Sequence, residues 1–169
     1  MQGLEGSASL DGSLISKSLD GIGVIVNRTL AKSMLHDSSG NLVTPEGMSG
    51  GSTNLTLYFE KAGFSARISE RMRSPFTTIY RSVTFTDTAT TINSDKVVDA
   101  QLGYSFEQGS LKGLSMTLQV NNLTDSATQQ MASINSLGGN NATPDPKQMI
   151  TKWVNHFGRQ MLFGVNYKY

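Results

Sequence analysis

Arginines are the side chains best placed for chemistry in this 169-residue chain. Arg67, Arg71 and Arg73 stand at even spacings within GFSARISERMR, so on an extended backbone all three point to one side. Arg81 follows in the next connection. A guanidinium is permanently charged and presents a fork of donors that fits carboxylates and phosphates. The set is therefore a candidate site for an anionic ligand. The plainer use of the same residues is pairing with carboxylates of neighbouring strands.

Other chemistry is poorly provided for. His36 and His156 have no cysteine or histidine partner at metal-ligand spacing, so no metal site is expected. The chain has no cysteine, which leaves no disulfide and no thiol chemistry. No Ser-His-Asp set, glycine-rich phosphate loop or carboxylate pair occurs. No catalytic residue, no cofactor and no enzyme activity are expected. A net charge of +1 gives no bulk attraction for nucleic acid.

The elements that would hold the arginines alternate apolar and polar residues. VVDAQLGYSF puts Val98, Ala100, Leu102, Tyr104 and Phe106 on one face, and GLSMTLQVNN puts Leu114, Met116, Leu118 and Val120 there. TNLTLYFE, GFSARISERMR and GIGVIVNRTLAK repeat the pattern, LEGSASLDG repeats it more weakly, and Met161, Phe163, Val165, Tyr167 and Tyr169 close the chain with it. Period two over such lengths predicts strands, about seven of them. PDPKQMITKWVNHFG has two readings. Met149, Ile150, Trp153 and Phe157 have helical spacing, yet Trp153 and Phe157 share parity with Met161, so the last strand could start early.

The connections alternate in length. His36–Gly51, Pro75–Asp95 and Asp125–Lys152 are long; Ser13–Asp20, Glu60–Gly63 and Glu107–Lys112 are short. Outer-membrane barrels have this phase, with long loops outside and short turns inside, and their strands need only every second residue apolar. The polar faces carry Arg67, Arg71, Asp99, Gln101, Gln119 and Asn121, which would each need a partner in a sandwich core. Glu70 and Arg28 break the apolar parity; an upper-interface position or a bulge would accommodate them. No apolar run reaches the length of a membrane-spanning helix, and MQGLEGSASLDG has no apolar signal-peptide region.

Three stretches carry a resemblance: YFEKAGFSARISERMRSPF, then VNNLTD at Val120 to Asp125, then GRQMLFGVNYKY. In that order they resemble the C-terminal part of a TonB-dependent receptor, a plugged outer-membrane barrel of Gram-negative bacteria. Tyr169 stands where phenylalanine is commoner, and the stretch from Ser126 to Asn155 is longer than the family pattern. The resemblance implies an all-β chain of about seven antiparallel up-and-down strands. They would form an open, curved segment of a large transmembrane barrel, with residues 1–169 lacking the plug and the N-terminal strands.

It also implies an active importer energised by the TonB complex through those missing parts. A nutrient ligand (siderophore, cobalamin or carbohydrate) would be captured by external loops and plug. Lipid bilayer and lipopolysaccharide would surround the wall, with Arg73 and Arg81 near lipopolysaccharide phosphates. The closing strand, Met161, Phe163, Val165, Tyr167 and Tyr169, resembles the signal read by the barrel-assembly machinery. Two other classes share the alternation: a passive porin-like wall and a soluble β-sandwich binding module or adhesin.

Overall fold

The computed structural model describes residues 1–36, 40–81, 87–133 and 149–168. The fold is all-β. Seven strands form the main sheet: β1 (Gln2–Asp11), β2 (Ile22–Lys32), β5 (Gly51–Lys61), β6 (Phe64–Arg73), β9 (Asp95–Ser105), β10 (Leu114–Asn121) and β13 (Gln160–Tyr167). Their order is β1-β2-β5-β6-β9-β10-β13, every neighbour antiparallel, and the sheet does not close. These are the seven strands that the alternation predicts.

The long connections hold more structure than the sequence suggests. β3 (Leu35–His36) and β4 (Leu42–Val43) pair within the first. β7 (Phe76–Arg81) and β8 (Asp87–Ile92) form a ladder in the second, and β11 (Ala127–Ser133) and β12 (Met149–His156) form one in the third. The last four join as a second sheet, β12-β11-β8-β7. The helical reading of 144–158 is therefore overturned over its described part, 149–158. β12 is a strand, and it is separate from β13 because Gly158, at φ 72°, turns the chain between them. The glycine pairs Gly50–Gly51 and Gly138–Gly139 would by sequence serve loop flexibility; Gly51 instead begins β5, and Gly138–Gly139 lie outside the described residues.

At the opposite end the connections are tight. Asp11 caps a 3-10 turn by accepting the Ser13 N–H at 2.9 Å. β5 and β6 are joined by Ala62 and Gly63 alone, at φ 51° and 79°. Two successive positive φ values make the turn whose twist matches paired strands. Gly63 is required twice over, because a Cβ there would strike the Ser105 carbonyl, whose own N–H donates to Gly63 O at 2.8 Å. Ala62 has no such reason to be alanine and carries left-handed strain of about 1 kcal/mol. Ala62→Asn should therefore raise unfolding stability by about 0.5–1 kcal/mol, read as a shifted denaturant midpoint with unchanged slope.

Among the described residues no second layer covers the main sheet. In its central strands Leu57, Ile68 and Leu102 are 50, 43 and 48% exposed. The total accessible surface is 11847 Å², against about 8,100 Å² for a compact chain of this mass. The small sheet is the better packed: Ala132, Thr90, Gln130 and Ile92 are buried there, and Gln130 donates to Thr90 Oγ1 at 2.6 Å.

Candidate functional site

Register puts Arg67, Arg71 and Arg73 on one face of β6, as their spacing requires. Arg67 lies between Tyr58 and Gln101, Arg71 between Asn54 and Val97, and Arg73 between Ser52 and Asp95. Two of the three meet carboxylates. Arg67 is 3.7 Å from Glu60, and Arg73 is 3.8 Å from Asp95 with its guanidinium 4.7 Å over the Phe76 ring. The pairs are largely exposed and contribute little stability. Arg67 also borders a shallow depression of about 160 Å³ with Ser69, Asp99, Gln101 and Gln119. Arg81 is not in a loop but ends β7 in the other sheet, in register with Asp87. The structure thus gathers three of the four arginines and separates the fourth.

The rest of this face is a wetted polar lattice. Ser7 donates to Asn27 at 2.7 Å, Thr56 and Ser69 share a hydrogen at 3.0 Å, and Gln119 donates to Asn121 at 2.8 Å. Tyr58 lies flat over Gly23 of the neighbouring strand, where a Cβ would run into its ring. No buried side-chain nitrogen or oxygen lacks a partner among the described residues. No three His, Cys, Asp or Glu side chains come together there.

The other face is apolar and its rows are continuous. Leu10, Val24, Leu57, Ile68, Ala100, Val120 and Met161 form one hydrogen-bonded row across all seven strands. Ile22, Phe59, Ala66, Leu102, Leu118 and Phe163 form the next. A trough of about 450 Å³ opens here, over Ala66 and Ala100 between Ile22, Leu57, Ile68 and Leu102.

The apolar band does not follow the rows. On β1 its run, Leu4 to Leu10, climbs from the common row toward the long connections. On β13 its run, Met161 to Tyr167, descends from that row toward the short turns. The midpoint moves by about six residues over the sheet, roughly 20 Å along the strands against roughly 29 Å across them. The band therefore lies about 35° off the rows. Measured along the band normal it is about 22 Å tall, from Ile22 to Leu30 on β2 and from Phe64 to Met72 on β6.

Its two margins differ. Phe59 and Phe64, with ring centres 6.0 Å apart, and Tyr104 and Phe106, 4.8 Å apart, mark the short-turn margin together with Tyr167. Lys32 and Lys96 mark the long-connection margin. The two parity breakers lie just inside it without a bulge. Arg28 donates to Thr53 Oγ1 at 3.3 Å, and Glu70 meets Lys96 at 2.7 Å.

The closing strand β13 is exposed throughout. Met161 and Phe163 are 72 and 68% exposed, Val165 and Tyr167 project beside them, and the strand's outer edge has no partner among the described residues. Tyr169 lies outside the described residues.

The motif stretches VNNLTD and GRQMLFGVNYKY meet in one corner, where the chain leaves the main sheet. Asn122, at φ 54°, accepts from Ser126 N–H at 2.8 Å and donates to Ser126 O at 3.1 Å and Gly158 O at 3.0 Å. Its own N–H donates to Asp99 Oδ1 at 2.9 Å. Leu123 N–H donates to Val98 O at 2.7 Å, and Arg159 Nε donates to Leu123 O at 3.0 Å. The corner ties β9, β10, β11 and β13 together. Sequence reasoning noticed the motifs but not that they touch; Asn122 beside Leu-Thr-Asp, a turn signature, was the available signal.

No family model matches the chain, no curated protein matches it, and no solved structure matches its fold.

Proposed function

We propose that this chain is the C-terminal wall segment of a TonB-dependent importer in the outer membrane of a Gram-negative bacterium. The observation that carries the reading is the oblique apolar band on a single exposed face. A strand in a transmembrane barrel is tilted about 35–45° from the membrane normal, and its lipid-facing band is about 25 Å tall with aromatic margins. The tilt and height derived from register fall close to those values.

Two further features support it. The long and short connections keep their phase at the two ends of the sheet throughout. And β1 and β13 run in the same direction, being first and seventh of an antiparallel series. Both edges then need antiparallel partners in hydrocarbon, which an odd number of additional wall strands supplies. Within the family resemblance, the importer is chosen over a passive channel by the three ordered motifs and by the corner that joins two of them. The nutrient ligand, the TonB complex and the assembly machinery follow from that resemblance.

The chain has no native cysteine, so a cysteine introduced into it is its one thiol. Single cysteines placed in the intact receptor at Leu57, Ile68, Leu102 and Leu118 should be quenched by lipid-soluble probes. Cysteines at Thr56, Ser69, Gln101 and Gln119 should react with water-soluble reagents. Loss of this alternation, with both sets shielded from both probes, would overturn the reading.

A further inference from the structure

Two features of the apolar band have no use in a wall that meets only lipid. The first is a hole. Ala66 on β6 and Ala100 on β9 floor the trough of about 450 Å³, and Ile22, Leu57, Ile68 and Leu102 form its sides. The second is a projection. The aromatic side chains Phe59, Phe64, Tyr104, Phe106 and Tyr167 stand at the short-turn margin of the band. Phe163 on β13 is the one aromatic at mid-depth among the described residues of the band. It is exposed, and Val165 projects beside it.

Depth relates the two. The band shifts by about one residue per strand, so the depth of the trough is reached on β13 between Phe163 and Val165. Hole and projection then lie about 15 Å apart at one height. Met116 and Leu118 on β10, both exposed, stand halfway between them at that height. A two-fold axis along the membrane normal through this midpoint carries each copy's projection onto the other's hole. The same axis keeps the long connections of both copies on one side of the membrane. Such a self-complementary patch is what an isologous contact requires.

We infer that this part of the apolar face is a docking surface for a second copy of the same protein. Phe163 and Val165 of each copy fill the Ala66–Ala100 trough of the other, and Met116 and Leu118 meet their own counterparts. This rests on the membrane reading above and adds a partner to the lipid-facing wall. Apolar burial does not drive association in lipid, because acyl chains are as apolar as leucine; close fit does. Small residues let two walls approach, and a projecting ring supplies the contacts that an open trough lacks. A barrel wall is convex, so two walls touch over few strands. Hole, midpoint and projection lie within four adjacent strands, β6, β9, β10 and β13. The contact is reversible: dilution in lipid returns single copies with the whole band open to acyl chains.

The intact receptor, freed of any other cysteine, is oxidised in the outer membrane with Met116→Cys in place. Disulfide-linked pairs should form. Val26→Cys, at the same depth on β2 but away from the axis, should give none. Association in phosphatidylcholine vesicles is then followed by energy transfer between labelled copies as lipid is added. Phe163→Ala should weaken it about tenfold, since each pair holds the contact twice and each contact is worth about threefold. Ala100→Phe fills the trough and should weaken it as much. Phe163→Ala combined with Ala100→Phe exchanges projection and hole, and should restore association to within about threefold of the wild type. Damage to the fold cannot mimic that restoration. Equal crosslinking at Met116→Cys and Val26→Cys, single variants that associate as the wild type does, or a double variant as weak as either single one overturns the docking surface and leaves the trough to acyl chains. Recovery of the receptor in a detergent-free soluble fraction overturns the membrane reading itself, and the docking surface with it.

Discussion

Leu118→Arg should destabilise the intact protein in lipid vesicles by about 2–4 kcal/mol, whereas Thr117→Arg, one residue earlier, should cost under about 1 kcal/mol. Leu118 pairs with Leu102 and Phe163 and stands at the centre of the tilted band. An arginine there must leave its guanidinium in hydrocarbon or deform the bilayer to reach water. Thr117 faces the other way, between Gly103 and Gly164, with room and water for a long side chain. Met72→Arg, at the upper margin of the same face, should fall to about 0–1 kcal/mol, so the three variants also measure depth. Arg28 shows how the chain tolerates such a charge: it is near the margin and hydrogen-bonded to Thr53. Reversible urea unfolding in vesicles measures all three. Equal midpoints for Leu118→Arg and Thr117→Arg would mean that water wets both faces, and the wall assignment would fall.

Asn122→Ala should cost about 4 kcal/mol of unfolding stability, the largest effect expected of any polar substitution here. Its side chain makes three hydrogen bonds, to Ser126 N, Ser126 O and Gly158 O. Each is worth about 1 kcal/mol net, and alanine would add the strain of a left-handed residue at φ 54°. Asn122→Asp separates the contributions. It keeps the acceptor for Ser126 N–H and tolerates the backbone, but it faces two carbonyls with no donor. It should therefore lose somewhat less than alanine below the carboxylate's titration range and more above it. Arg159→Ala, which removes the bond to Leu123 O, should be milder, at about 1 kcal/mol. An Asn122→Ala variant within 0.5 kcal/mol of wild type would show that the corner is held by its backbone bonds alone.

Several features were legible because each depends on one strand at a time. Alternation in GLSMTLQVNN or VVDAQLGYSF fixes a strand and two faces whatever its neighbours do. Connection lengths fix which ends lie together. The small sheet was not legible, because its strands lack the alternating apolar signal. ATQQMAS and DTATTI are threonine- and glutamine-rich, and they become strands by pairing with each other and with β7 and β12. Trp153, Phe157 and Met161 share parity on paper, yet the turn at Gly158 separates β12 from β13, and the two strands lie in different sheets. Among the arginines, spacing was enough to unite Arg67, Arg71 and Arg73 on one face. It could not say that Glu60 and Asp95 would meet two of them, since those carboxylates come from other strands.

The amino-acid sequence by itself determined which side chains share a face, because a strand's period of two is set by backbone geometry alone. For the seven strands of the main sheet it also indicated where strand gives way to connection, since glycine, proline and asparagine punctuate the pattern. Only the tertiary structure decided how the faces add up. Register between strands, which no single strand encodes, made the apolar residues one band lying about 35° off the hydrogen-bonded rows. It also gave that band an aromatic margin. Pairing is a relation between segments far apart in the chain, and its consequence is visible only once all seven strands lie side by side.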